Sequence, residues 1–352
     1  MNPLDDERGL RAGDPSGMLD HVVATPHHCR EGYRVGRSAP DLPSGEGVAN
    51  VAVVGMGGSA ISGDIVRALY ADRLRLPVVV VRSPELPGWC GPHTLVVAST
   101  YSGDTAETLA AFETALERGC RVVAVTSGGR LGARASELEL GRVVVPGGLM
   151  PRAALGYLLL GSIGALESIG LVPSAATELD DAARELETLM DQLGPAVPTD
   201  INPAKQLAQA IGERVPVVWG AEGIGAVAAA RWKTQMNENA KVPAWCSALP
   251  ELDHNEVVGW SGDRGHGSFL VVLRHEGEHP DVAARVPLSV EIALASGIRA
   301  REVWARGSSP LARVLTLIAQ GDLTATYLGL LHGEDPSQIE AIVRLKRELA
   351  QA

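Results

Sequence analysis

Short, unbroken runs of Val, Ala and Leu recur along the first half of the chain, and most are followed by a segment with helical spacing. A strand that is apolar at every position must be covered on both faces, which is typical of a parallel sheet packed between helices. We therefore expect strands and helices to alternate. The predicted strands are Val51–Val54, Val78–Val81, Leu95–Ser99, Arg121–Thr126 and Arg142–Val145, and the predicted helices are Ser59–Tyr70, Thr105–Arg118, Leu131–Leu138, Pro151–Ile169 and Ala175–Leu193.

The same alternation returns after a proline-rich stretch at Gly194–Pro203. Both halves place a glycine turn between a strand and a helix, which is consistent with an internal duplication. We predict an α/β fold with two domains, 45–195 and 203–331, each a parallel sheet flanked by helices. The second domain should contain strands Val215–Gly220, Ser268–Leu273 and Arg301–Trp304 and helices Glu222–Lys241, Val282–Ala295 and Leu311–Leu331.

The two ends of the chain lie outside these domains. Residues 1–44 should form a tail and one helix, which starts at Asp14-Pro15-Ser16 and runs toward Arg30, after about ten disordered residues. Residues 332–352 should form a C-terminal helix.

Charge and cysteine usage limit the partners that the chain can have. The 31 Lys and Arg residues against 42 Asp and Glu give a net charge of −11, which disfavours nucleic acid and anionic membranes. Residues 1–20 lack an apolar signal core, and we expect no segment that could span a bilayer. The four cysteines are scattered without metal-type spacing, as in reduced thiols of a cytoplasmic protein.

Two turns carry most of the functional signal. Thr100-Tyr101-Ser102-Gly103-Asp104-Thr105 places three hydroxyls in threonine and serine between a strand and a helix, and Gly55-Met56-Gly57-Gly58-Ser59 follows an earlier strand. Backbone N–H groups and the helix dipole make such a turn suitable for a phosphate. Two turns of this kind in one sheet predict a phosphorylated small molecule as the ligand.

The glycine turn has two other interpretations. Gly55, Gly57 and Ala60 fit the relaxed dinucleotide fingerprint, but the second strand ends at Arg82 and the nearest acid, Glu85, lies beyond a proline. The acid expected to hold a ribose is therefore missing from its place. A plain strand-to-helix turn remains the second interpretation, and NAD binding the third.

With both turns placed, the chain resembles the sugar isomerase (SIS) domain family, and more closely the bifunctional phosphoglucose/phosphomannose isomerases, which have two SIS domains. The resemblance runs from about residue 15 to the C-terminus. Two departures stand out: Thr100 replaces the usual serine, and Asp104 replaces the usual asparagine. The matching motifs are the two turns extended to Ala60 and to Glu107-Thr108, then Pro151-Arg152, Asn237-Glu238-Asn239-Ala240-Lys241, His254-Asn255-Glu256 and Leu345-Lys346.

The resemblance implies a metal-independent, cofactor-free aldose–ketose isomerase that works through a cis-enediolate. It implies that Glu238 is the base, that His254 assists ring opening in the site of a neighbouring subunit, and that Arg152 stabilises the enediolate charge. Lys346 would open the ring or orient hydroxyls. It further implies a homodimer. The phosphate would be held by Gly57, Gly58, Ser59, Thr100, Ser102 and Thr105.

Spacing adds an independent argument for the lysine. Ile339, Ile342, Val343 and Lys346 fall at i, i+3, i+4 and i+7, so the lysine should share the apolar stripe of the last helix. A lysine on such a stripe either extends its ammonium to the rim of the core or faces a cavity.

The residues also allow ordinary interpretations. Glu238, His254 and Arg152 could each be a surface residue, and any one of the hydroxyls could be a helix cap. At the level of function, two alternatives remain: a non-catalytic sensor of sugar phosphates, and an SIS isomerase of another phosphosugar. A sensor would need only the phosphate turns, so the presence of all four acid–base candidates favours an enzyme. His27-His28-Cys29 is the only compact cluster of potential metal ligands, and no metal site is expected there.

Overall fold

The computed structural model describes residues 2–349, which divide into two compact units. The five-stranded unit contains residues 24–187 and 307–314, and the four-stranded unit contains residues 2–23, 188–306 and 315–349. This division differs from the predicted domain boundaries at both ends of the chain. Residues 2–23 and the C-terminal helix group with the second sheet, whereas the helix that precedes the first strand groups with the first sheet.

The five-stranded sheet has the order β2-β1-β3-β4-β5, and every neighbouring pair is parallel. The apolar runs of the sequence form these strands because their side chains are buried on both faces; all six residues of β3 are buried. The strands are β1 (Asn50–Val54), β2 (Val78–Val81), β3 (Thr94–Ser99), β4 (Arg121–Thr126) and β5 (Gly141–Val144).

Helices cover this sheet, and a core cluster around Phe112, Val96 and Leu131 lies on one face. A short 3₁₀ turn, Pro151–Ala154, precedes the long apolar helix that the sequence predicted. The helices of the unit are α3 (Thr25–Arg37), α4 (Gly57–Tyr70), α5 (Ala106–Glu117), α6 (Gly129–Glu137), α7 (Leu155–Ile169) and the greater part of α8 (Ala176–Leu193).

The second sheet has the order β7-β6-β8-β9 and is also parallel throughout. The predicted α/β class with two parallel sheets flanked by helices is therefore confirmed. One of its strands was missed, because Trp-Cys-Ser-Ala-Leu lacks the valine runs that marked the others. The strands are β6 (Val215–Ala221), β7 (Trp245–Leu249), β8 (Ser268–Arg274) and β9 (Arg299–Trp304).

The helices of the four-stranded unit include one that the sequence analysis missed, Pro203–Ile211, whose first N–H groups are capped by the Asn202 side chain. Two short 3₁₀ turns, Thr199–Ile201 and Glu251–His254, also belong to this unit. The helices are α1 (Glu7–Gly13), α2 (Met18–Val23), α9 (Pro203–Ile211), α10 (Ile224–Glu238), α11 (Glu256–Gly259), α12 (Pro280–Ala295), most of α13 (Pro310–Leu331) and α14 (Glu340–Leu349).

The expectation of a disordered N-terminus is wrong. Pro3–Asp5 forms a 3₁₀ turn, and Asp6 caps α1 by accepting a hydrogen bond from the Arg8 N–H at 3.2 Å. Leu4 and Leu10 are buried, so these turns are held by packing as well as by caps. The single helix expected toward Arg30 is two helices, since a new helix starts beside Pro26, a residue that favours the first helical turn.

The expectation that no segment could span a bilayer also needs correction. In the described part of the chain, α13 is long and apolar enough to do so by composition. However, 83% of its most apolar window is buried inside the structure, as in the core helix of a soluble protein. Hydropathy alone does not distinguish these two environments.

Candidate active site

The order of the five-stranded sheet identifies where a ligand would bind. The chain leaves β1 toward β2 on one side, whereas β3 lies on the other side. In open parallel sheets, ligands bind in the crevice outside the carboxyl ends of the two strands at which this reversal occurs. The glycine turn after β1 and the hydroxyl turn after β3 both lie at this point.

The glycine turn opens α4 without a side-chain cap. Met56 is the N-cap residue and makes no side-chain hydrogen bond to the first turn, so no side-chain cap occupies the N–H groups of that turn. Gly57 has a φ of +53°, and a Cβ placed there would meet nothing within 4 Å. The turn is therefore open on the side of Gly57, while Ser59 is buried. This is the arrangement of an anion-binding helix N-terminus.

The hydroxyl turn opens α5, also without a side-chain cap. The N-cap residue Thr105 directs its Oγ1 to the Oγ1 of Thr100, 2.8 Å away, instead of to the first helical N–H groups. Ser102 is exposed, and its Oγ accepts a hydrogen bond from the Asp104 N–H at 3.3 Å. Two helix N-termini without side-chain caps thus follow two adjacent strands, and the second of them carries the hydroxyls of Ser102, Thr105 and the buried Thr100.

The hydroxyl turn is interlocked with the turn that follows β4. Gly103 has a φ of +77°, and a Cβ on it would lie 1.9 Å from the carbonyl oxygen of Gly128. A Cβ on Gly129 would lie 2.3 Å from the carbonyl oxygen of Ser102. Glycine is therefore required on both sides of this contact, which fixes the height of the hydroxyl turn relative to the neighbouring strand.

Asp104, the acid that departs from the family pattern, does not direct its carboxylate to its own helix. Its Oδ1 accepts a hydrogen bond from the Arg130 N–H at 3.1 Å, in the first turn of α6, and Arg130 Nε lies 3.4 Å from the same oxygen. The acid is thus paired at a helix N-terminus, where its charge is favourable. The negative charge of Asp104, which would disfavour a phosphate at the hydroxyl turn, is therefore directed at the Arg130 side chain and the start of α6.

Arg152 is 3% exposed, so the interpretation as a surface residue is wrong. A Cβ added to Gly58 would lie 3.4 Å from the Pro151 carbonyl oxygen and 3.6 Å from Arg152 Cα. The first turn of α4 therefore adjoins the arginine. The structure brings Gly57, Gly58 and Arg152 together in one part of the five-stranded unit.

Tyr101 is a residue that sequence reasoning did not single out. It is buried, its hydroxyl donates to the Pro146 carbonyl at 2.9 Å, and the Leu149 N–H donates to the same hydroxyl at 3.0 Å. Burial raises the pKa of this phenol. Tyr101 thus fixes the loop that leads into Pro151 and Arg152 from within the hydroxyl turn. The only signal in the sequence was its position between the hydroxyl residues Thr100 and Ser102.

Glu238 is the last residue of α10 and lines a cavity of about 610 Å³ in the four-stranded unit. The Lys241 ammonium donates to the Glu238 carbonyl oxygen at 2.6 Å, and Lys241 lies on the same wall. The cavity is bounded on its other side by residues 334–342, which lead into α14. A half-buried glutamate on a cavity wall is a candidate for proton transfer with a bound substrate.

His254 ends the 3₁₀ turn Glu251–His254 and is exposed. It does not line the cavity that contains Glu238. Its neighbours are held on both sides: the Asp253 carboxylate accepts a hydrogen bond from Ser289 at 2.6 Å, and the Glu256 carboxylate accepts one from Trp219 at 2.8 Å. The loop is fixed while the imidazole faces outward.

Lys346 lies in the last turn of α14 and is exposed, which corrects the expectation that its helix has a buried stripe. No residue of α14 through Leu349 is buried, and Val343 and Leu345 are exposed apolar residues. Ile342, one turn before the lysine, reaches the wall of the Glu238 cavity, whereas Lys346 does not. Periodicity identified the apolar face of the helix but not what covers it.

Among residues 2–349, no group of three or more His, Cys, Asp and Glu side chains is arranged to hold a metal ion. The four cysteines are free thiols. Burial raises the pKa of the Cys29 thiol to about 12, so this thiol stays protonated near neutral pH.

Comparison with known proteins links these features to one family. Residues 200–349 match the family model of the bacterial phospho-glucose isomerase C-terminal SIS domain. A bifunctional phosphoglucose/phosphomannose isomerase of Caldicellulosiruptor bescii is 34% identical over 338 residues, which cover 95% of this chain and 99% of that protein. The corresponding protein of Aquifex aeolicus is 34% identical over 88% of this chain and 92% of its own length.

A solved structure gives the same fold. The crystal structure of a glucose-6-phosphate isomerase like protein from Thermus thermophilus aligns with a TM-score of 0.66 at 23% identity, and the alignment covers 99% of both chains. At this identity the match supports the architecture of two parallel sheets and nothing finer.

Proposed function

Since the chain belongs to the bifunctional phosphoglucose/phosphomannose isomerase family, we propose that it interconverts glucose 6-phosphate and mannose 6-phosphate with fructose 6-phosphate. The observation that carries the proposal is the pair of uncapped helix N-termini, α4 and α5, at the reversal point of the five-stranded sheet. Such a site binds a phosphate through backbone N–H groups and hydroxyls despite the net charge of −11.

In the proposed phosphate site, each turn has its own task. The N–H groups of Gly57 and Gly58 and the Ser59 hydroxyl approach the phosphate from α4, while Thr100, Ser102 and Thr105 approach it from α5. The contact between Thr100 and Thr105 supports this assignment. Each hydroxyl can donate to only one acceptor, so the hydroxyl that accepts within the pair keeps its own proton for a phosphate oxygen and is held in place by its partner.

The proposed chemistry is proton transfer between C2 and C1 through a cis-enediolate. Glu238 acts as the base that removes the proton and returns it, a role that a carboxylate on the wall of a cavity can perform. Arg152 stabilises the negative charge of the enediolate. We further propose that His254 and Lys346 act on the ring and the hydroxyls. The reaction needs neither a metal nor a redox cofactor, because only protons move.

We also propose that the protein is a cytoplasmic homodimer. Free thiols support the location. Exposed apolar side chains support the dimer: Val258 on α11 is 69% exposed and Leu288 on α12 is 62% exposed, both on elements next to the His254 loop. The imidazole of His254 faces outward from the same region. A second subunit would cover these apolar residues and receive the histidine.

The first experiment supplies EDTA-treated protein with fructose 6-phosphate and monitors glucose 6-phosphate and mannose 6-phosphate separately. Formation of both products supports the bifunctional, metal-free activity. Formation of glucose 6-phosphate alone narrows the substrate range but retains the mechanism. If neither product forms while the sugar phosphate still raises the melting temperature, the sensor interpretation or another phosphosugar replaces the proposal.

A further inference from the structure

We propose that Glu256 is a positioning residue for His254: its carboxylate ties the loop that carries the histidine to the second sheet. The proposal rests on the ring-opening role proposed for His254. It concerns a residue two positions away from the histidine, at the start of α11.

The Glu256 carboxylate is bound by three donors, two from strands of the second sheet and one from the C-cap residue of its own helix. Its Oε1 accepts the indole N–H of Trp219 at 2.8 Å and that of Trp260 at 3.2 Å. Its Oε2 accepts the hydroxyl of Ser247. Trp219 is fully buried in β6, and Ser247 is its register partner in β7. The start of α11 is therefore fixed to the two strands at this edge of the sheet.

These contacts argue against a catalytic role for Glu256 itself. Both carboxylate oxygens are engaged with donors of the protein: Oε1 accepts two indole N–H groups, and Oε2 accepts the Ser247 hydroxyl. The two indoles are neutral donors, and their rings stand edge to face with centroids 6.5 Å apart. The cluster is suited to holding a backbone in place.

The other side of the loop is held independently. The Asp253 Oδ1 accepts the Ser289 hydroxyl at 2.6 Å, and Arg285 lies 3.6 Å from the other oxygen of the same carboxylate, both from α12. With Asp253 and Glu256 both anchored, the backbone of His254 is held on both sides. Loss of the Glu256 anchor leaves the loop attached on one side alone.

The test measures ring opening separately from proton transfer. The protein is added to glucose 6-phosphate, and exchange between its α and β anomers is followed by NMR exchange spectroscopy, since anomer exchange requires ring opening but no enediolate. The same preparations are assayed for isomerisation of fructose 6-phosphate. The variants are Glu256→Ala, Glu256→Gln, His254→Ala and the double variant His254→Ala/Glu256→Ala.

We expect Glu256→Ala to slow catalysed anomer exchange by roughly 10- to 100-fold, the range produced by misplacing a catalytic group by about 1 Å. Glu256→Gln should stay within about 3-fold of the wild type, because an amide oxygen still accepts both indoles and the amide N–H₂ can donate to Ser247. The double variant should be no slower than His254→Ala, because a positioning residue has no effect once the positioned group is absent.

Glu278→Ala is the matched control in the same unit. Its buried carboxylate accepts hydrogen bonds from the Arg274 side chain and the His275 N–H, and it contacts no residue of the His254 loop. A loss of anomer exchange in this variant equal to that in Glu256→Ala would overturn the proposal, because the effect would then reflect general destabilisation. Additive losses in the double variant would overturn it as well.

A second readout does not depend on activity. Loss of the carboxylate in Glu256→Ala should shift the indole ¹H–¹⁵N resonances of both Trp219 and Trp260. If the wild type is active and these resonances do not move in the variant, the proposal is overturned. If Glu256→Ala does not fold, Ser247→Ala replaces it, because this variant removes one donor only. It should shift the same two resonances and slow anomer exchange to a smaller extent. A Ser247→Ala variant with unchanged resonances and unchanged anomer exchange would overturn the proposal. A wild type without isomerase activity would instead contradict the proposed function, which separates the two failures.

Discussion

The hydroxyl oxygens of Thr100 and Thr105 lie 2.8 Å apart, although one residue directly follows β3 and the other directly precedes α5. Thr105 is the N-cap residue, but its hydroxyl is hydrogen-bonded to the Thr100 hydroxyl and makes no capping bond to its own helix. A helix without a side-chain N-cap is about 1 kcal/mol less stable than a capped one. The open N-terminus becomes useful only when an anion binds to it.

Thr105→Val should weaken substrate binding. The substitution keeps the shape of the side chain but removes the hydroxyl that orients Thr100 and faces the proposed phosphate. A hydrogen bond to a charged group is worth about 1.5–3 kcal/mol, so KM for fructose 6-phosphate should rise roughly 10- to 100-fold. Steady-state kinetics and competition by inorganic phosphate would measure the change.

The matched control for that variant is Thr114→Val, on the same helix. The Thr114 hydroxyl donates to the Ala110 carbonyl at 3.0 Å within α5 and is far along the helix from its N-terminus. KM should be unaffected there. Equal increases in KM in both variants would contradict the placement of the phosphate at the hydroxyl turn.

Glu238→Gln should abolish most of the turnover and leave binding intact. The amide has the same shape as the carboxylate but cannot accept the substrate proton, so kcat should fall roughly 10²- to 10⁴-fold. Glu334→Gln is the control, since Glu334 lines the same cavity. Titration calorimetry and kcat would be measured for both. Wild-type turnover in Glu238→Gln would refute its assignment as the base.

Tyr101→Phe should lower kcat more than it raises KM. The variant loses the hydrogen bonds to the Pro146 carbonyl and from the Leu149 N–H, which hold the loop that leads to Arg152. A displaced arginine would stabilise the enediolate less, and we expect kcat to drop roughly 10-fold.

The control for the tyrosine is Tyr33→Phe, whose hydroxyl donates to Glu167 at 2.5 Å within the same unit. It should lose stability without a comparable loss of kcat. If Tyr101→Phe had a raised KM and an unchanged kcat, its hydroxyl would serve substrate binding and not the arginine.

Asp181 should make the five-stranded unit sensitive to acid. Burial would raise the pKa of its carboxyl, but hydrogen bonds from Ser309 and Ser308 outweigh burial and lower it. A lowered pKa stabilises the fold above the unfolded-state pKa of about 4, and this contribution disappears as the pH falls through the lower pKa of the folded state.

Asp181→Asn should therefore reduce the free energy of unfolding at pH 7, by about 1–3 kcal/mol. The difference from the wild type should shrink as the pH falls below about 4 and disappear below the lowered pKa of the folded state, where the carboxyl group is protonated in both states. Urea unfolding at several pH values would measure this. The exposed neighbour Asp180, changed to Asn, serves as the control. A difference independent of pH would show that the charge of Asp181 is not involved.

Sequence predicted the sheets well where strands were buried on both faces. The run Leu95–Ser99 is wholly buried, and runs of this kind need few other signals. The strand Trp245–Leu249 was not predicted, because it is an edge strand whose residues are mostly half-buried and its composition is therefore mixed. Burial, and with it the apolar signal, decreases toward the edge of a sheet.

The site was predictable to the extent that it depends on backbone motifs. Strand-to-helix turns have local sequence signatures, so the glycine turn and the hydroxyl turn could be placed, and the order of the strands in the sheet then brought them together. The burial of Arg152 and the hydrogen bonds of Tyr101 depend on packing between distant segments, which no local pattern encodes. The exposure of α14 has the same cause, because periodicity describes a helix and not its surroundings.

The interlocked glycines at the ends of β3 and β4 restrict how this protein can change over time. Because Gly103 and Gly128 meet with less than the space of one methyl group between them, no side chain can be gained at Gly103 unless the partner turn first moves. Variation at the two turns is therefore epistatic, because the conformation of one turn decides which substitutions the other turn tolerates. Residues around the crevice can change to suit a new sugar, but the turns after β3 and β4 can change only together.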